Sequence, residues 1–362
     1  MRLFQNSGLT PAYLSRLDNL ANEQSTFSGR LDTFLTDRYG AAHLLKPVLE
    51  RELTTFFTNG DDQVLQRFWA SEHGLPRRAS LEEILLGQIE EHATEVFYNL
   101  APMRYGSEFV KKLPGCVKAT LARRAAPSRG ADFSAYDAVV CNFPSIIKQY
   151  HERGWRAEYF SPAHDPEMDP YAANTDRQID VLFVGGYSRH HLRRARVLDV
   201  VASLRHRFSV VFCLDRSRLT RVAESPMLRG LPLPNRRPPD TTAVTQAPVF
   251  GRDLYAKIAS SKIVLNCAVD MAGADRGNMR CFETTGCGAV MVSDRGHYPS
   301  GFVDKKTMML YDGHDEAVTV IEEALQDPEY ARQIAVQAHQ MVGTEYSKAK
   351  QWKDFNDLLG RL

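Results

Sequence analysis

The hydrophobic residues of the chain occur in short apolar runs that alternate with amphipathic segments. Apolar runs of about four to eight residues between turn residues predict buried β-strands. In the first half they cover residues 2–5, 54–57, 96–100, 117–122, 138–143 and 156–160. In the second half they cover residues 179–186, 208–214, 262–266, 289–293 and 307–311. This alternation of strands and helices predicts an α/β protein with mainly parallel sheets.

The clearest helix is predicted over residues 81–92. Ser80 and Glu83 have the spacing of a capping box, in which each side chain bonds to the backbone of the other residue. Apolar residues recur on one face of this segment, at Leu81, Ile84, Leu85 and Ile89. A second helix is predicted over residues 144–153, and the tail from residue 315 to 362 is predicted to be helical.

The length of the chain predicts two domains, because 362 residues exceed the size at which a single hydrophobic core stops growing. Residues 161–178 hold three prolines with several Asp and Asn residues, so they cannot form a regular element and predict a linker. We therefore predict one Rossmann-like domain over residues 1–165, a linker over 166–178, and a second Rossmann-like domain over 179–345. The proline-rich stretch 225–251 is predicted to be irregular surface.

Composition and charge narrow the class of protein. A hydrophobic fraction of 43% and a charged fraction of 25% are those of a soluble globular protein, which excludes disordered and fibrous classes. The net charge of +1 gives no overall field that would attract nucleic acid, so no nucleic-acid partner is expected. Arginine is concentrated at residues 189–196 and 235–237. This concentration fits a solvated helix face with a basic loop, and it also fits a surface that meets anionic phosphates or lipid headgroups.

The six cysteines show no C-x-x-C spacing, and most lie in apolar runs, so they are interpreted as reduced, buried thiols. The N-terminal residues do not resemble a signal peptide, and no run of about 18 apolar residues is present. We therefore expect a cytoplasmic protein whose contact with a membrane, if there is one, is peripheral and on that side.

The strongest functional signal lies in residues 275–294. Asn278 and Gly286 stand where a short helix would begin and end, and residues 288–294 predict a buried strand directly after it. Asp275 precedes this helix and Glu283 lies inside it. Backbone amides at a helix N terminus bind anions, whereas carboxylates accept hydrogen bonds from hydroxyl groups. A sugar nucleotide carries both kinds of group; the alternative is that the two acids are ordinary surface residues.

Glycine turns follow two of the predicted strands. Gly185 and Gly186 lead into a basic helix, where backbone can approach a phosphate closely, and Gly8 follows the first strand. Neither turn has the dinucleotide-binding fingerprint or the Walker pattern. The sequence has no D-x-D triplet that would hold a metal ion with a diphosphate, so Arg189 and Arg280 are the candidates to stabilise that charge. We therefore expect no metal ion and no other cofactor.

Three segments, residues 181–186, 251–266 and 277–294, resemble the donor-binding domain of GT-B glycosyltransferases, specifically the glycosyl transferases group 1 and CgeB-like proteins. The resemblance implies a GT-B fold, with two Rossmann-like domains whose mainly parallel sheets face each other across a cleft. It also implies that the N-terminal domain takes the acceptor, and that a helix over residues 346–362 crosses back onto that domain.

In this family an E-x7-E pattern spans the loop and helix, and here it is D-x7-E, from Asp275 to Glu283. The resemblance implies that the first acid approaches the transferred sugar, although aspartate shortens its reach, and that Glu283 holds the ribose hydroxyls. The helix start at Asn278 and Met279, together with Arg280, would then meet the diphosphate.

Two further parts of the chain receive roles from the resemblance. Main-chain contacts to the nucleotide base are expected around Gly251 and Arg252. His164 lies in a segment that resembles the interdomain crossover near the nucleotide. If the reaction inverts the anomeric configuration, a general base is needed, and Asp61, Asp62 and His164 are the candidates.

The implied activity is transfer of a sugar from a nucleotide-diphosphate donor to an acceptor, without a metal ion and with retention of configuration. The sequence does not specify the sugar, the base, the oligomeric state, or whether the acceptor is a glycan, a lipid-linked glycan or a protein. The alternatives are a sugar-nucleotide epimerase or a phosphorylase on the same scaffold, and a non-catalytic protein that binds nucleotide sugars.

Overall fold

The computed structural model describes residues 1–187, 191–215, 218–228, 233, 236–268 and 273–362. The chain divides into two compact units. The first consists of Met1–Ala163 together with Lys348–Leu362, and the second of His164–Ser347. Residues 166–178, predicted as a linker, lie in the second unit.

The first unit contains a six-stranded sheet in the order β2-β1-β3-β4-β5-β6, with every neighbouring pair parallel. Its strands are β1 Leu3–Ser7, β2 Thr55–Asn59, β3 Val96–Asn99, β4 Ala119–Arg123, β5 Ala138–Cys141 and β6 Ala157–Tyr159. Its helices up to residue 163 are α1 Pro11–Leu20, α2 Phe27–Asp37, α3 Lys46–Leu49, α4 Gln63–Glu72, α5 Leu81–Glu91, α6 Ser107–Val110 and α7 Pro144–His151, with a 3-10 turn at Ala41–His43.

The second unit contains another six-stranded parallel sheet, in the order β12-β11-β10-β7-β8-β9. Its strands are β7 Ile179–Gly186, β8 Val210–Asp215, β9 Thr245–Gln246, β10 Ser261–Asn266, β11 Val290–Asp294 and β12 Met309–Tyr311. Its helices are α8 Asp169–Ala172, α9 Leu192–Ser203, α10 Arg218–Ala223, α11 Pro239–Ala243, α12 Gly251–Ala259, α13 Met279–Gly286, α14 His314–Gln326 and α15 Pro328–Glu345, with 3-10 turns at Pro166–Met168, Leu204–His206 and Pro226–Leu228. The last helix, α16 Lys348–Leu359, belongs to the first unit.

The predicted α/β class with parallel sheets is confirmed. Strands such as β3 and β5 are buried along their whole length, as expected where helices cover both faces of a parallel sheet. On one face of the first sheet, side chains from four strands pack with two side chains of α16: Leu3, Val96, Leu121, Val140, Phe355 and Leu358. The capping box of α5 is also confirmed, since Ser80 Oγ accepts from the Glu83 amide at 3.1 Å and Glu83 Oε2 accepts from the Ser80 amide at 2.6 Å.

Two expectations of irregular structure are wrong. Residues 161–178 contain the 3-10 turn Pro166–Met168 and α8, and residues 225–251 contain the 3-10 turn Pro226–Leu228, α11 and β9. Both turns and both helices have a proline in their first turn, where the missing N–H costs no intrahelical hydrogen bond. No helix among the described residues has the length and hydrophobicity that a membrane span requires.

Candidate functional site

The helix α13 begins at the carboxyl edge of the second sheet. It connects β10 to the neighbouring strand β11. Asn278 is its N-cap residue by backbone conformation, but its side chain makes no capping hydrogen bond. Instead, Asn278 Nδ2 donates to Asn266 Oδ1, at the end of β10, at 3.1 Å. Asn278 Oδ1 accepts from the Cys281 thiol at 3.8 Å. The N terminus of α13 is thus fixed to the strand end, and the Asn278 side chain bonds none of the helix amides.

A polar network at the ends of β10 and β11 supports this arrangement. Asn266 Nδ2 donates to Ser293 Oγ at 3.0 Å. The Tyr298 hydroxyl lies 2.6 Å from Ser293 Oγ and 2.7 Å from the carbonyl oxygen of Asp294. Asn266 and Ser293 are buried, so each hydrogen bond offsets the cost of removing a polar group from water. The network holds the two strand ends and the start of α13 in one geometry.

Arg276 and Asp294 form a buried ion pair beside this network, with 2.6 Å between Arg276 Nη2 and Asp294 Oδ2. Arg276 Nη1 also donates to the carbonyl oxygen of Gly273 at 2.8 Å, and Asp294 Oδ1 accepts from the Ala268 amide at 2.9 Å. The pair therefore ties the loop before α13 to the end of β11. The sequence reasoning missed both residues.

Asp275 lies in that loop and is buried. The loop forms a parallel bridge to the segment around His297, in which the Arg276 amide donates to the His297 carbonyl oxygen and the His297 amide to the Ala274 carbonyl oxygen, each at 2.8 Å. Asp275 Oδ1 lies 3.7 Å from Nδ1 of the exposed His297 ring. The backbone thus fixes Asp275 just ahead of α13.

Glu283 and Arg280, which were given separate roles, are paired with each other. Arg280 Nη1 donates to Glu283 Oε2 at 2.8 Å across one helical turn. The Glu283 side chain is 6% exposed and the Arg280 side chain 18%. Any ligand that uses either side chain must therefore bind to the pair.

The two glycines that were predicted to form a turn after β7 are its last two residues, so the predicted turn is wrong at these positions. β7 is the neighbour of β10 in the sheet. Gly185 and Gly186 pair with Leu214 and Asp215 of β8. A Cβ on Gly185 would stand 3.1 Å from the Phe183 ring, whereas one on Gly186 would meet nothing within 4 Å. Close packing therefore constrains Gly185 alone. Arg189 lies outside the described residues.

Arg194 on α9 spans the ends of β7 and β10. Its guanidinium donates to the carbonyl oxygen of Cys267, directly after β10, and lies 5.9 Å from the centroid of the Phe183 ring. The two strands are neighbours, and a ligand of a doubly wound sheet binds where the strand order reverses. Arg194 thus places a cation at that position. The basic run 189–196 was the available signal, but it did not distinguish Arg194 from its neighbours.

Gly251 and Arg252 open α12 in the same unit. Gly251 has a φ of 56°, a left-handed conformation that favours glycine. Arg252 Nη2 donates to Glu167 Oε2 at 2.6 Å, so its side chain is engaged by the 3-10 turn at 166–168.

His164 lies at the opposite end of α13 from Asn278. A Cβ on Gly286, the last residue of α13, would stand 2.9 Å from His164 Nδ1, and His164 Nε2 lies 2.7 Å from Asp169 Oδ1. Eight residues at about 1.5 Å each separate the two helix ends by about 12 Å. Burial lowers the pKa of His164. The structure therefore does not bring His164 to the start of α13.

Gly8 belongs to the first unit and lies beside Asp61. The Leu9 amide donates to both carboxylate oxygens of Asp61 at 3.0 Å, and burial raises the pKa of Asp61. Asp62 has a structural role, since its side chain caps α4 and forms an ion pair with Arg30 at 2.7 Å.

The structure thus groups most of the predicted residues on one unit. Asp275, Asn278, Met279, Arg280 and Glu283 lie in or just before α13, and Gly185 and Gly186 end the strand next to β10.

Residues 221–357 match the family model described as "Glycosyl transferase-like". The chain has the GT-B fold, and the matched segment makes up 137 of its 362 residues. No curated protein sequence matches it. The matched segment includes α12 and α13, whereas β7 and α9 precede it.

Solved structures of glycosyltransferases share the fold. HepE of Anabaena, in complex with UDP and glucose, is 10% identical, with a TM-score of 0.62 and coverage of 100% of both chains. A DNA-modifying β-glucosyltransferase is 12% identical, with a TM-score of 0.57 over 99% of both chains. The sucrose-phosphate synthase of Thermosynechococcus elongatus is 11% identical, with a TM-score of 0.54 over 99% of this chain and 98% of that chain. At these identities the likeness shows the fold.

Proposed function

We propose that this protein is a glycosyltransferase that transfers a sugar from a nucleotide-diphosphate donor, with UDP as the favoured nucleotide, and that it does so without a metal ion and with retention of configuration. The observation that carries the proposal is the start of α13, where the side chain of the N-cap residue Asn278 is bonded to Asn266 instead of the helix amides. Three structures of HepE, which has the same fold, are complexes with UDP and glucose, with UDP alone and with UDP-glucose, which favours uridine.

The diphosphate would bind at the amides of Met279 and Arg280 in the first turn of α13. The helix dipole and the N–H groups favour an anion there. Arg194 binds Cys267, and Asn278 binds the preceding residue, Asn266, at the end of β10. The guanidinium of Arg194 therefore lies beside the start of α13, as a second cation in addition to Arg280. These charges would stabilise the leaving diphosphate by preorganised electrostatics, which is the role a metal ion has in other transferases.

Glu283 would accept hydrogen bonds from the ribose hydroxyls. Arg280 contacts Oε2, and a carboxylate can accept further hydrogen bonds on both oxygens. Asp275, fixed by the backbone bridge to His297, would approach the transferred sugar. The match to the glycosyl transferase-like family favours transfer over the epimerase and the silent binding protein.

The test is a calorimetric titration of the protein with UDP, GDP, TDP and CDP, in buffer with EDTA. We expect UDP to bind most tightly and Glu283→Gln to weaken it about tenfold, because a hydrogen bond to a charged group contributes roughly 1.5 kcal/mol. Glu329→Gln on α15 is the matched control, since Glu329 pairs with Arg332 at 2.8 Å on an exposed helix. Unchanged UDP affinity in Glu283→Gln would overturn the ribose role, and the absence of binding by all four nucleotides would overturn the donor proposal.

The variant Asp275→Asn distinguishes a contact with the transferred sugar from a contact with the nucleotide. We expect this variant to retain UDP affinity within about twofold and to lose most of the donor hydrolysis measured as UDP release, because the residue would contact only the transferred sugar. An equal loss of UDP affinity would place Asp275 on the nucleotide instead.

A further inference from the structure

One face of the first sheet carries a polar layer at its carboxyl edge. Gln5 on β1 pairs in register with Tyr98 on β3, and Tyr98 pairs with Leu121 on β4. Arg123 lies two residues beyond Leu121 and therefore projects from the same face, one step closer to the carboxyl edge. Asn142 follows β5 and accepts a hydrogen bond from Arg123 Nη2 at 3.3 Å. Three adjacent strands thus contribute polar side chains above the apolar cluster on that face.

The segment 41–45 and the start of α16 lie against this layer. Gln5 fixes the segment, since its Nε2 donates to the His43 carbonyl oxygen and its Oε1 accepts from the Leu45 amide, each at 3.1 Å. Lys348, the first residue of α16, donates from Nζ to the carbonyl oxygens of Ala41 and Leu44 at 2.7 Å each. These contacts place the His43 ring and a lysine ammonium group beside the layer.

The guanidinium of Arg123 has no acidic partner among the described residues, whereas a partly buried arginine normally has one. Among the described residues its guanidinium donates to one acceptor, Asn142 Oδ1, and no Asp or Glu side chain lies within ion-pair distance. Burial lowers the pKa of Arg123. The buried Arg30 of the same unit shows the usual arrangement, because Asp62 and Asp18 each bind it at 2.7 Å.

Two polar atoms next to Arg123 also lack partners in the part of the chain that the structure describes. The Tyr98 hydroxyl and His43 Nδ1 are buried and make no hydrogen bond. Burial lowers the pKa of His43 well below its ordinary value, and the positive charges of Arg123 and Lys348 lower it in the same direction. Native proteins satisfy nearly all buried polar atoms, so the Tyr98 hydroxyl and His43 Nδ1 are groups that a ligand of Arg123 could bond.

We propose that Arg123, Tyr98 and His43 bind an oxyanion, a phosphate or carboxylate group of a ligand of the first unit. The guanidinium presents planar donors that match such a group in bidentate geometry, and the phenol and the imidazole can each donate one further hydrogen bond. Arg123 is partly exposed, so a ligand can reach it. The proposal does not depend on the donor assignment, because all of its residues lie in the other unit.

The experiment measures the dissociation constants of inorganic phosphate, sulfate and acetate by calorimetry, with ionic strength held constant with potassium chloride. We expect binding of at least one of these probes, and an at least tenfold weaker affinity in Arg123→Gln. Arg129→Gln is the matched control, because Arg129 is an exposed arginine of the same unit and its loss changes the net charge equally. The strongest probe identifies the group, a tetrahedral dianion or a carboxylate. The absence of binding by all three, or an equal loss in both variants, would overturn the proposal.

The variant Tyr98→Phe distinguishes a role of this hydroxyl in oxyanion binding from a role in the stability of the fold. It removes only the hydroxyl that has no partner, so the unliganded melting temperature should stay unchanged or rise, while affinity for the oxyanion falls at least threefold. A merely structural hydroxyl would give the opposite pattern: a lower melting temperature with unchanged affinity. This variant also covers the case in which Arg123→Gln does not fold.

Discussion

The pairing of Arg280 with Glu283 makes a quantitative prediction, because the two side chains are neither fully exposed nor fully buried. Replacing Arg280 by Met keeps an apolar stem of similar length and leaves the Glu283 carboxylate, 6% exposed, without its 2.8 Å partner. Replacing Glu283 by Gln keeps the shape and removes the charge. The guanidinium of Arg280, 18% exposed, then has better access to water than the carboxylate has in the first variant.

The two single variants should therefore differ. Removing one partner of a buried ion pair costs about 3 to 5 kcal/mol, and the partial exposure of this pair reduces the figure to about 2 kcal/mol for Arg280→Met. For Glu283→Gln we expect about 1 kcal/mol, since the remaining cation can reach solvent. The double variant leaves no buried charge unpaired, so it should be less destabilised than the sum by about 1 kcal/mol or more.

The assay is a double-mutant cycle on the free energy of unfolding of the second unit, followed by native-state hydrogen exchange because a chain of two units need not unfold in one step. The matched control is the pair Glu329 and Arg332, which has the same 2.8 Å distance and three-residue spacing but side chains 62% and 67% exposed. We expect no measurable coupling there. If the Arg280 and Glu283 effects add within about 0.5 kcal/mol, the pair is not coupled and the reasoning is refuted.

Two further predictions concern stability. Gly286→Ala should destabilise the second unit by about 2 kcal/mol, because the new Cβ would stand 2.4 Å from Met168 Sδ. Gly343→Ala in the last turn of α15, where a Cβ would meet nothing within 4 Å, should instead stabilise this unit by up to about 1 kcal/mol. Hydrogen exchange on both variants checks this, and equal effects would contradict it. Burial lowers the pKa values of His43, His92 and His164 in the folded protein. As the pH falls, these histidines therefore take up protons in the unfolded chain, near pH 6.5, before they do so in the folded protein. The free energy of unfolding should consequently fall as the pH drops below about 6.5. Urea titrations between pH 7.5 and 5.5 measure how the free energy of unfolding depends on pH. We expect His92→Gln to weaken this dependence and the exposed His314→Gln to leave it unchanged. A free energy of unfolding that does not change with pH in the wild type would refute the argument.

The strands and the start of α13 were predictable because their signals are local. An apolar run such as residues 181–184 favours a buried strand, and Asn278 with Gly286 marks both ends of the short helix. The pair of Arg280 and Glu283 also had a local signal, since residues three apart on a helix are neighbours. The three-residue spacing of Arg280 and Glu283 was therefore sufficient to predict that they pair.

Other parts of the site depend on contacts that no local pattern encodes. Arg276 and Asp294 are 18 positions apart and meet only because β10 and β11 are parallel neighbours. Arg194 acquires its place from the order of β7 and β10 in the sheet, which the linear sequence does not contain. The polar layer around Arg123 likewise requires the register of three strands and a helix more than 220 residues further on.

The position of α16 has a consequence for synthesis of the protein. The first unit buries Lys348, Phe355 and Leu358, which the ribosome adds only after the whole second unit has been made. While residues 164–347 are being translated, the sheet face that packs on Phe355 and Leu358 is exposed to water as an unfinished apolar surface. The second unit, whose residues are contiguous, has no such delay and can complete its core before the unit that precedes it in the chain.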